Sequence, residues 1–542
     1  MTDPARLLVA VIRLDRDEPD AALEAALGDL EAGVGGFILF GGTCDVVRGL
    51  TAELRERAGR PLWFAADLER GAGQQFRGAA TLPPPAALAS HPQAERAVRA
   101  AARLTALESM DLGVNWVLAP VLDLDVEPRN PIVGTRSFGA DPAVVSRLGR
   151  AWIEACQAAG AAACAKHFPG HGRTTGDSHM ELPSVDASRE RLEGDLGPFR
   201  AVSEVAAGMM AAHVAYPALG CEGPASRSPE VLRSLLREEM GFRGLVVTDA
   251  LVMAGFGGGG ETGAATEGWR AVRALRAGCD ILLYPSDPAL VARTVRQAAG
   301  NDRRLAGLVE EAAGRSQRIL ERFGRGAAAG RGGAAAGADG GDADAPDAGP
   351  DLPLFRPGAP ELTRLASECV RPAGPGDPEA AAREVAAWTS AAAGRVRIAV
   401  VSDDEAPDDA STGRALAAEL RRRGWSVRGP VEAAGTGGPE AGEGDGGPGA
   451  PGASSAPLLL VIRATPRAEK GRSGLSARAR ERVATLLAAG GPALPVALGH
   501  PRVLAGEELA GLCAWASEEV MERGAAAWIA DRAQAAGAAG PA

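Results

Sequence analysis

Histidine is scarce in this chain, six among 542 residues, yet His167, His171 and His179 fall within one stretch, Cys164 to Pro183. Imidazole is the side chain that changes charge near neutral pH, so such a cluster is the first place to look for proton transfer. Lys166, Arg173 and Asp177 stand among the three histidines, with Pro169, Gly170, Gly172 and Gly176 as turn-formers. An apolar run, Ala161 to Ala165, comes just before. The stretch reads as a buried strand leading into a polar loop, where catalytic groups are held by a rigid scaffold. The competing reading is a glycine-rich turn with solvated histidines, which the scarcity of histidine elsewhere disfavours.

Within the stretch, Asp177-x-His179 pairs a carboxylate with an imidazole. The carboxylate fixes the tautomer and raises basicity, which suits a proton-transfer group on a mobile loop. Two exposed loop residues are the alternative. Lys166 and His167 lie at the strand end itself and read as fixed donors for a hydroxyl-rich substrate. Arg136 and Asp67 would complete a polar ring around sugar hydroxyls or an amide, although each is also a candidate for an ordinary salt bridge. Asp249 follows the buried run Gly244 to Thr248, where it could serve as nucleophile or base, or equally as a helix N-cap. His171 reads as structural, and His91 and His500 as bland. No metal constellation is expected, because the histidines are interleaved with Lys and Arg, and no glycine-rich phosphate loop follows a strand.

These residues need elements to carry them. Apolar runs recur at Leu7–Ile12, Gly36–Phe40, Leu62–Ala66, Val114–Ala119, Ala161–Ala165, Gly208–Ala212, Leu245–Thr248 and Asp280–Tyr284. Amphipathic segments lie between most of them, for example Asp20–Ala32, Gln93–Leu112, Ala143–Ala159 and Pro229–Met240. Eight strands alternating with helices predict an α/β fold, a (β/α)8 TIM-like barrel over residues 1–324, with a doubly wound sheet as the alternative. The barrel is favoured because the runs end in Asp67, Asp123 with Asp125, Lys166-His167, His213 and Asp249, which a barrel gathers on one face. Residues 325–350 are Gly/Ala/Asp-rich and read as a disordered linker. Residues 351–542 carry a second, smaller α/β pattern, with strands at Val396–Ser402, Leu458–Arg463 and Pro495–Gly499 and helices at Ala410–Arg423 and Ser476–Ala489. A Gly/Pro/Glu-rich stretch at about 434–455 reads as a disordered loop, and the Ala-rich segment from Glu518 as a helix.

The net charge is −11 and no basic tract occurs, so a nucleic-acid partner is not expected. The seven cysteines are scattered and form no C-x-x-C pair, which points to buried free thiols in a reducing compartment. The first apolar run is six residues long and reads as a strand, not a signal peptide. No run approaches the ~20 residues of a membrane span. A cytoplasmic protein, monomeric or homodimeric, is expected.

Lys166-His-Phe-Pro-Gly-His-Gly172, Asp177-Ser-His179 with Leu182-Pro183, and Val247-Thr-Asp-Ala-Leu251 with Met253 together resemble glycoside hydrolase family 3, of the β-N-acetylhexosaminidase type. Ala119-Pro-Val-Leu-Asp-Leu-Asp125, Arg136-Ser-Phe138, Ala212-His213-Val214 and Gly278-Cys-Asp-Ile-Leu-Leu283 extend the likeness over most of residues 5–323. The second domain looks like the αβα sandwich that follows the barrel in many members. The resemblance implies that Asp249 is a nucleophile forming a covalent glycosyl-enzyme and that His179, paired with Asp177, is the general acid/base. It implies that Asp67, Arg136, Lys166 and His167 bind the terminal sugar and that Met210 lines the pocket near an acetamido group. After Asp67 the family often has Gln-Glu-Gly-Gly-Arg, whereas here Leu-Glu-Arg-Gly-Ala follows, so one wall of the pocket is altered. The expected function is a cofactor-independent retaining exo-β-N-acetylglucosaminidase acting on terminal N-acetylglucosamine, with cell-wall (peptidoglycan) fragments as substrate. The alternatives are a β-glucosidase or glycoside phosphorylase, and a non-catalytic sugar-binding protein.

Overall fold

The structure is a computed structural model describing residues 2–16, 18–257, 264–324, 359–373, 378–392, 394–402, 412–432, 456–464, 475–489 and 491–535. The chain divides into two compact units, Met1–Ala89 with Gln93–Pro357 and Ser90–Pro92 with Gly358–Ala542. The expected linker at 325–350 and the loop at 434–455 lie outside the described residues.

In the first unit the apolar runs become strands β1 (Leu8–Arg13), β2 (Gly36–Phe40), β3 (Trp63–Ala66), β4 (Trp116–Val117), β5 (Ala162–Phe168), β6 (Gly208–Ala211), β7 (Leu245–Thr248) and β8 (Leu282–Leu283). All pair in parallel, in the order β7-β6-β5-β4-β3-β2-β1-β8. The two ends of that order meet. Val247 bridges to Ile281, the Thr248 N–H donates to the Ile281 carbonyl at 3.0 Å, and the Asp280 N–H donates to the Val246 carbonyl at 2.7 Å. The sheet is therefore a closed eight-stranded barrel with no free edge. β4 is shorter than its apolar run because Pro120 has no N–H to continue the ladder, although the Ala119 and Pro120 carbonyls still accept from Cys164 and Lys166 at 3.0 Å.

Helices connect consecutive strands, and their starts are written in the sequence. Thr43, Asp141, Ser188, Asp287 and Asp302 each accept a backbone N–H of the first turn that follows. The last helix, Arg303–Phe323, buries Leu305, Val309, Ala312, Ser316, Leu320 and Phe323, the three- and four-residue spacing of one face.

The barrel interior is a packed core. Val9, Trp63, Ala65, Ala162, Cys164, Leu245 and Val247 come from the odd-numbered strands, and Val11 packs against them. Ile38, Trp116, Leu118, Met210, Ile281 and Leu283 come from the even-numbered strands and their ends. Side chains alternate along a strand, so the next inward position on each odd strand is Arg13, Asp67, Lys166 or Asp249. One ring of charge thus stands directly above the apolar filling. Met210 lies in the filling, 3% exposed, and not among the polar groups.

The second unit holds a six-stranded sheet in the order β11-β10-β12-β13-β14-β9. Its strands are β9 (Arg371–Ala373), β10 (Arg395–Ser402), β11 (Ser426–Glu432), β12 (Leu458–Ala464), β13 (Ala493–Gly499) and β14 (Gly511–Cys513), and only β9 runs antiparallel. Leu458, Leu460 and Ile462 pack with Leu475, Ala479 and Val483 on one face. The intervening Leu459 and Val461 are equally buried, so the sheet is covered on both faces, as an αβα sandwich requires. The expected strands at 396–402, 458–463 and 495–499 are present. β9, β11 and β14 were not expected, being short or interrupted by Pro, Arg and Gly. The helix expected at 410–423 spans Arg414–Arg422, and that expected from Glu518 spans Glu519–Ala535.

Asp280 staples the barrel seam. It accepts from the Val246 N–H at 2.8 Å and pairs with Arg237 at 2.5 Å and with Arg315. Replacing Asp280 with Ala strands two half-buried guanidiniums and should cost about 3 kcal/mol. The expected result is a lower thermal midpoint for the first unit, and an unchanged midpoint would contradict the assignment.

Candidate active site

Lys166, 1% exposed, reaches across the barrel mouth from β5. Its Nζ lies 2.6 Å from Asp67 Oδ1 and 2.7 Å from Glu69 Oε1. Arg136 grips the same Glu69 with two parallel bonds, Nε to Oε2 at 2.9 Å and Nη2 to Oε1 at 2.7 Å. Two cations and two carboxylates thus form one cluster, with Glu69 at its centre. Burial pushes the Glu69 carboxyl up, but Arg136 and Lys166 outweigh it and hold the group well below the ordinary range. Burial likewise disfavours the Lys166 ammonium, yet Asp67 and Glu69 raise it to about 12. Glu69, Arg136 and Lys166 are charged at neutral pH, and the four groups fix one another's directions.

A second set of bonds holds the imidazoles. Asp123, fully buried after β4, accepts from His167 Nδ1 at 2.7 Å, from the His167 N–H at 3.2 Å and from the His171 N–H at 2.6 Å. The bond to Nδ1 sets the His167 tautomer and leaves Nε2 as the acceptor nitrogen of the ring. His171 lies 2.7 Å from Thr174 Oγ1 through Nδ1 and 3.1 Å from Ser178 Oγ through Nε2. Burial lowers its pKa to about 4, so it is neutral and structural. It ties the following loop to the strand end.

That loop carries Asp177 and His179. Asp177 is buried, and its Oδ1 lies 2.8 Å from His179 Nδ1 and accepts the His179 N–H at 2.9 Å. The His179 side chain is 57% exposed. The imidazole is therefore oriented from behind and open to a reactant in front. The carbonyls of Ser178 and His179 accept from the N–H groups of Gly255 and Ala254, which anchors the loop beside the segment after β7. Gly255 is needed there, since a Cβ would stand 2.7 Å from the Ser178 carbonyl oxygen.

Asp249 directly follows β7 and accepts the Ala250 N–H at 2.8 Å. Burial pushes its carboxyl up, but the nearby imidazoles, His167 foremost, and the Ala250 N–H more than offset this and lower it. It is ionised and partly exposed in the mouth. His213 stands behind, bonded to Ser226 Oγ at 2.8 Å and the Ala250 carbonyl at 3.2 Å, and burial lowers it to about 4.

The structure thus places Asp67, Arg136, Lys166 and His167 in joined networks, and places Asp177, His179 and Asp249 on neighbouring segments. Sequence reasoning missed Glu69, which was seen only as part of an altered wall, and left Asp123 without a role. A buried carboxylate requires a partner, but Arg136 stands 67 positions away, so only the fold shows that pairing. Among the described residues, no group of three or more His, Cys, Asp or Glu is placed to hold a metal ion, and no helix is long and apolar enough to cross a membrane.

A closed (β/α)8 barrel with an ionised carboxylate, a carboxylate-backed imidazole and fixed polar groups at its C-terminal rim has the make-up of a glycoside hydrolase. The chain belongs to glycosyl hydrolase family 3, whose N-terminal domain matches residues 14–319. It is 35% identical over 293 residues to a "Beta-hexosaminidase" of Idiomarina loihiensis, covering 53% of this chain and 85% of that protein. It is 38% identical over 275 residues to a "Beta-N-acetylglucosaminidase/beta-glucosidase" of Cellulomonas fimi, covering 48% of this chain and 47% of that protein. A solved family 3 β-N-acetylglucosaminidase from Paenibacillus sp. str. FPU-7 shares the fold, with a TM-score of 0.73 at 24% identity, covering 98% of this chain and 97% of the other.

Two predictions follow from the charges. Replacing Glu69 with Gln keeps the size of the side chain but leaves Arg136 and Lys166 underneutralised, and should lower kcat/KM by about 100-fold; a loss below about threefold would show that Glu69 only fills space. His171 and His213 are depressed to about 4 when folded, so between the unfolded value near 6.5 and pH 4 the unfolded chain binds more protons. Stability is therefore present above pH ~6.5 and falls as the pH drops, by up to about 3 kcal/mol for each histidine. A thermal midpoint that stays flat between pH 6.5 and 4.5 would contradict their burial as neutral groups.

Proposed function

We propose that this chain is a retaining exo-β-N-acetylglucosaminidase that removes terminal β-linked N-acetylglucosamine. The observation that carries the reading is the pairing of His179 with Asp177 at 2.8 Å on a loop bonded to the segment that follows ionised Asp249. Asp249 attacks the anomeric carbon while His179, protonated on Nε2, gives its proton to the leaving oxygen. Asp177 stabilises the imidazolium before that transfer and holds the ring in place. A covalent glycosyl-enzyme on Asp249 results. Water then enters, His179 takes its proton, and the sugar leaves with its configuration retained. Asp67, Arg136, Lys166 and His167 hold the terminal sugar, because their mutual bonds fix them before substrate arrives. Met210, one layer below, backs the pocket near the acetamido group.

The names carried by the hexosaminidase relatives support the sugar assignment. The substrate source we favour is cell-wall (peptidoglycan) fragments, handled in the cytoplasm. A second reading, β-glucosidase activity, is favoured by the double name of the Cellulomonas fimi relative. A panel of aryl β-glycosides assayed with and without phosphate separates these. The expected result is release of free N-acetylglucosamine, little turnover of the glucoside, and no gain from phosphate. The D249A variant should lose at least about 1,000-fold in kcat/KM. Near-wild-type turnover by that variant, or sugar-1-phosphate as product, would overturn the reading.

A further inference from the structure

Three large apolar side chains are exposed among the described residues: Met180 at 68%, Trp269 at 53% and Val252 at 46%. Two of the three flank the groups assigned to catalysis. Met180 directly follows His179, and Val252 lies three positions after Asp249. Their segments are bound together, since the Ala254 N–H donates to the His179 carbonyl at 3.3 Å and the Gly255 N–H to the Ser178 carbonyl at 2.9 Å. The close approach at Gly255, where a Cβ would stand 2.7 Å from the Ser178 oxygen and 2.9 Å from that of Glu181, brings the two segments into direct contact.

Met180 is not exposed because its backbone is loose. The N–H groups of Met180 and Glu181 both donate to the Asp177 carbonyl at 3.0 Å, closing a tight turn. The same turn that orients His179 therefore fixes the point from which Met180 projects. Met180 and Val252 thus stand exposed on two bonded segments, the ones that carry His179 and follow Asp249, and apolar surface beside a polar site can serve an apolar ligand.

General-acid geometry says which part of the substrate that ligand is. The acid touches the glycosidic oxygen, so the retained sugar lies on one side of His179 and the leaving group on the other. The retained sugar already has its partners in Asp67, Arg136, Lys166 and His167. None of those four is apolar, and none lies on the segments of Met180 and Val252. We propose that Met180 and Val252 form an aglycone subsite that selects leaving groups with an apolar face, such as an aryl or alkyl group or the carbon face of a sugar ring. This rests on the assignment of His179 and Asp249 given above.

The test compares 2-phenylethyl and 2-hydroxyethyl N-acetyl-β-glucosaminides, whose leaving alcohols are both simple primary alcohols. The wild type should show a kcat/KM about tenfold higher for the phenylethyl glycoside. M180S and V252S should each lower that ratio about threefold or more, chiefly through the phenylethyl substrate. A wild-type ratio near one, or variants that lose equally on both substrates, would overturn the subsite and leave the functional reading intact. A wild type that hydrolyses neither compound, nor an aryl N-acetyl-β-glucosaminide, would overturn the functional reading itself.

Discussion

Closing eight parallel strands on themselves forces every C-terminal strand end onto a single rim. The seam between β7 and β8 completes that closure, through Val247, Ile281, Thr248 and Asp280. Alternation then does the rest. With Trp63 and Ala65, Ala162 and Cys164, and Leu245 and Val247 pointing inward, Asp67, Lys166 and Asp249 are the next inward positions. Residues spread over 182 positions of sequence come to share one mouth because the core beneath them has period two.

A rim of charge above a dry core is costly unless each charge is matched. The match comes in two parts. Glu69 and Asp67 neutralise Lys166 and Arg136, which makes rigid polar groups of what would otherwise be mobile cations. Asp123 serves His167 and, through the backbone, His171, which in turn bonds Ser178 on the loop carrying Asp177 and His179. His167 and the loop that carries Asp177 and His179 therefore have a common support in Asp123. Asp249 is held ionised, and among the described residues no lysine or arginine is bonded to it, the state a carboxylate nucleophile requires.

Much of this was legible in the sequence. Each barrel strand announced itself as a short apolar run, and Asp67, Lys166 and Asp249 stood out as the charges that end such runs. Asp177 and His179 were legible because their contact is local. Glu69 was not, since its importance lies in Arg136 and Lys166, which no spacing rule connects to it. Asp123 was visible as a strand-end acid, but its bonds to His167 and His171 depend on how β4 and β5 lie side by side. Met210 was named only through the resemblance, and its inward position on β6 places it in the filling one layer below the rim. In the second unit, β9, β11 and β14 escaped notice because short strands containing Arg, Pro and Gly carry little apolar signal.

The proposed reaction requires a carboxylate oxygen of Asp249 to bond to the sugar. An N-acetylglucosaminyl fluoride bearing a fluorine on the ring, which slows release from the enzyme, allows the covalent intermediate to be trapped and the labelled peptide to be mapped by mass spectrometry. One sugar attached at Asp249 is the predicted result. Label on any other residue, or hydrolysis that yields the α-anomer first with no adduct, would contradict it.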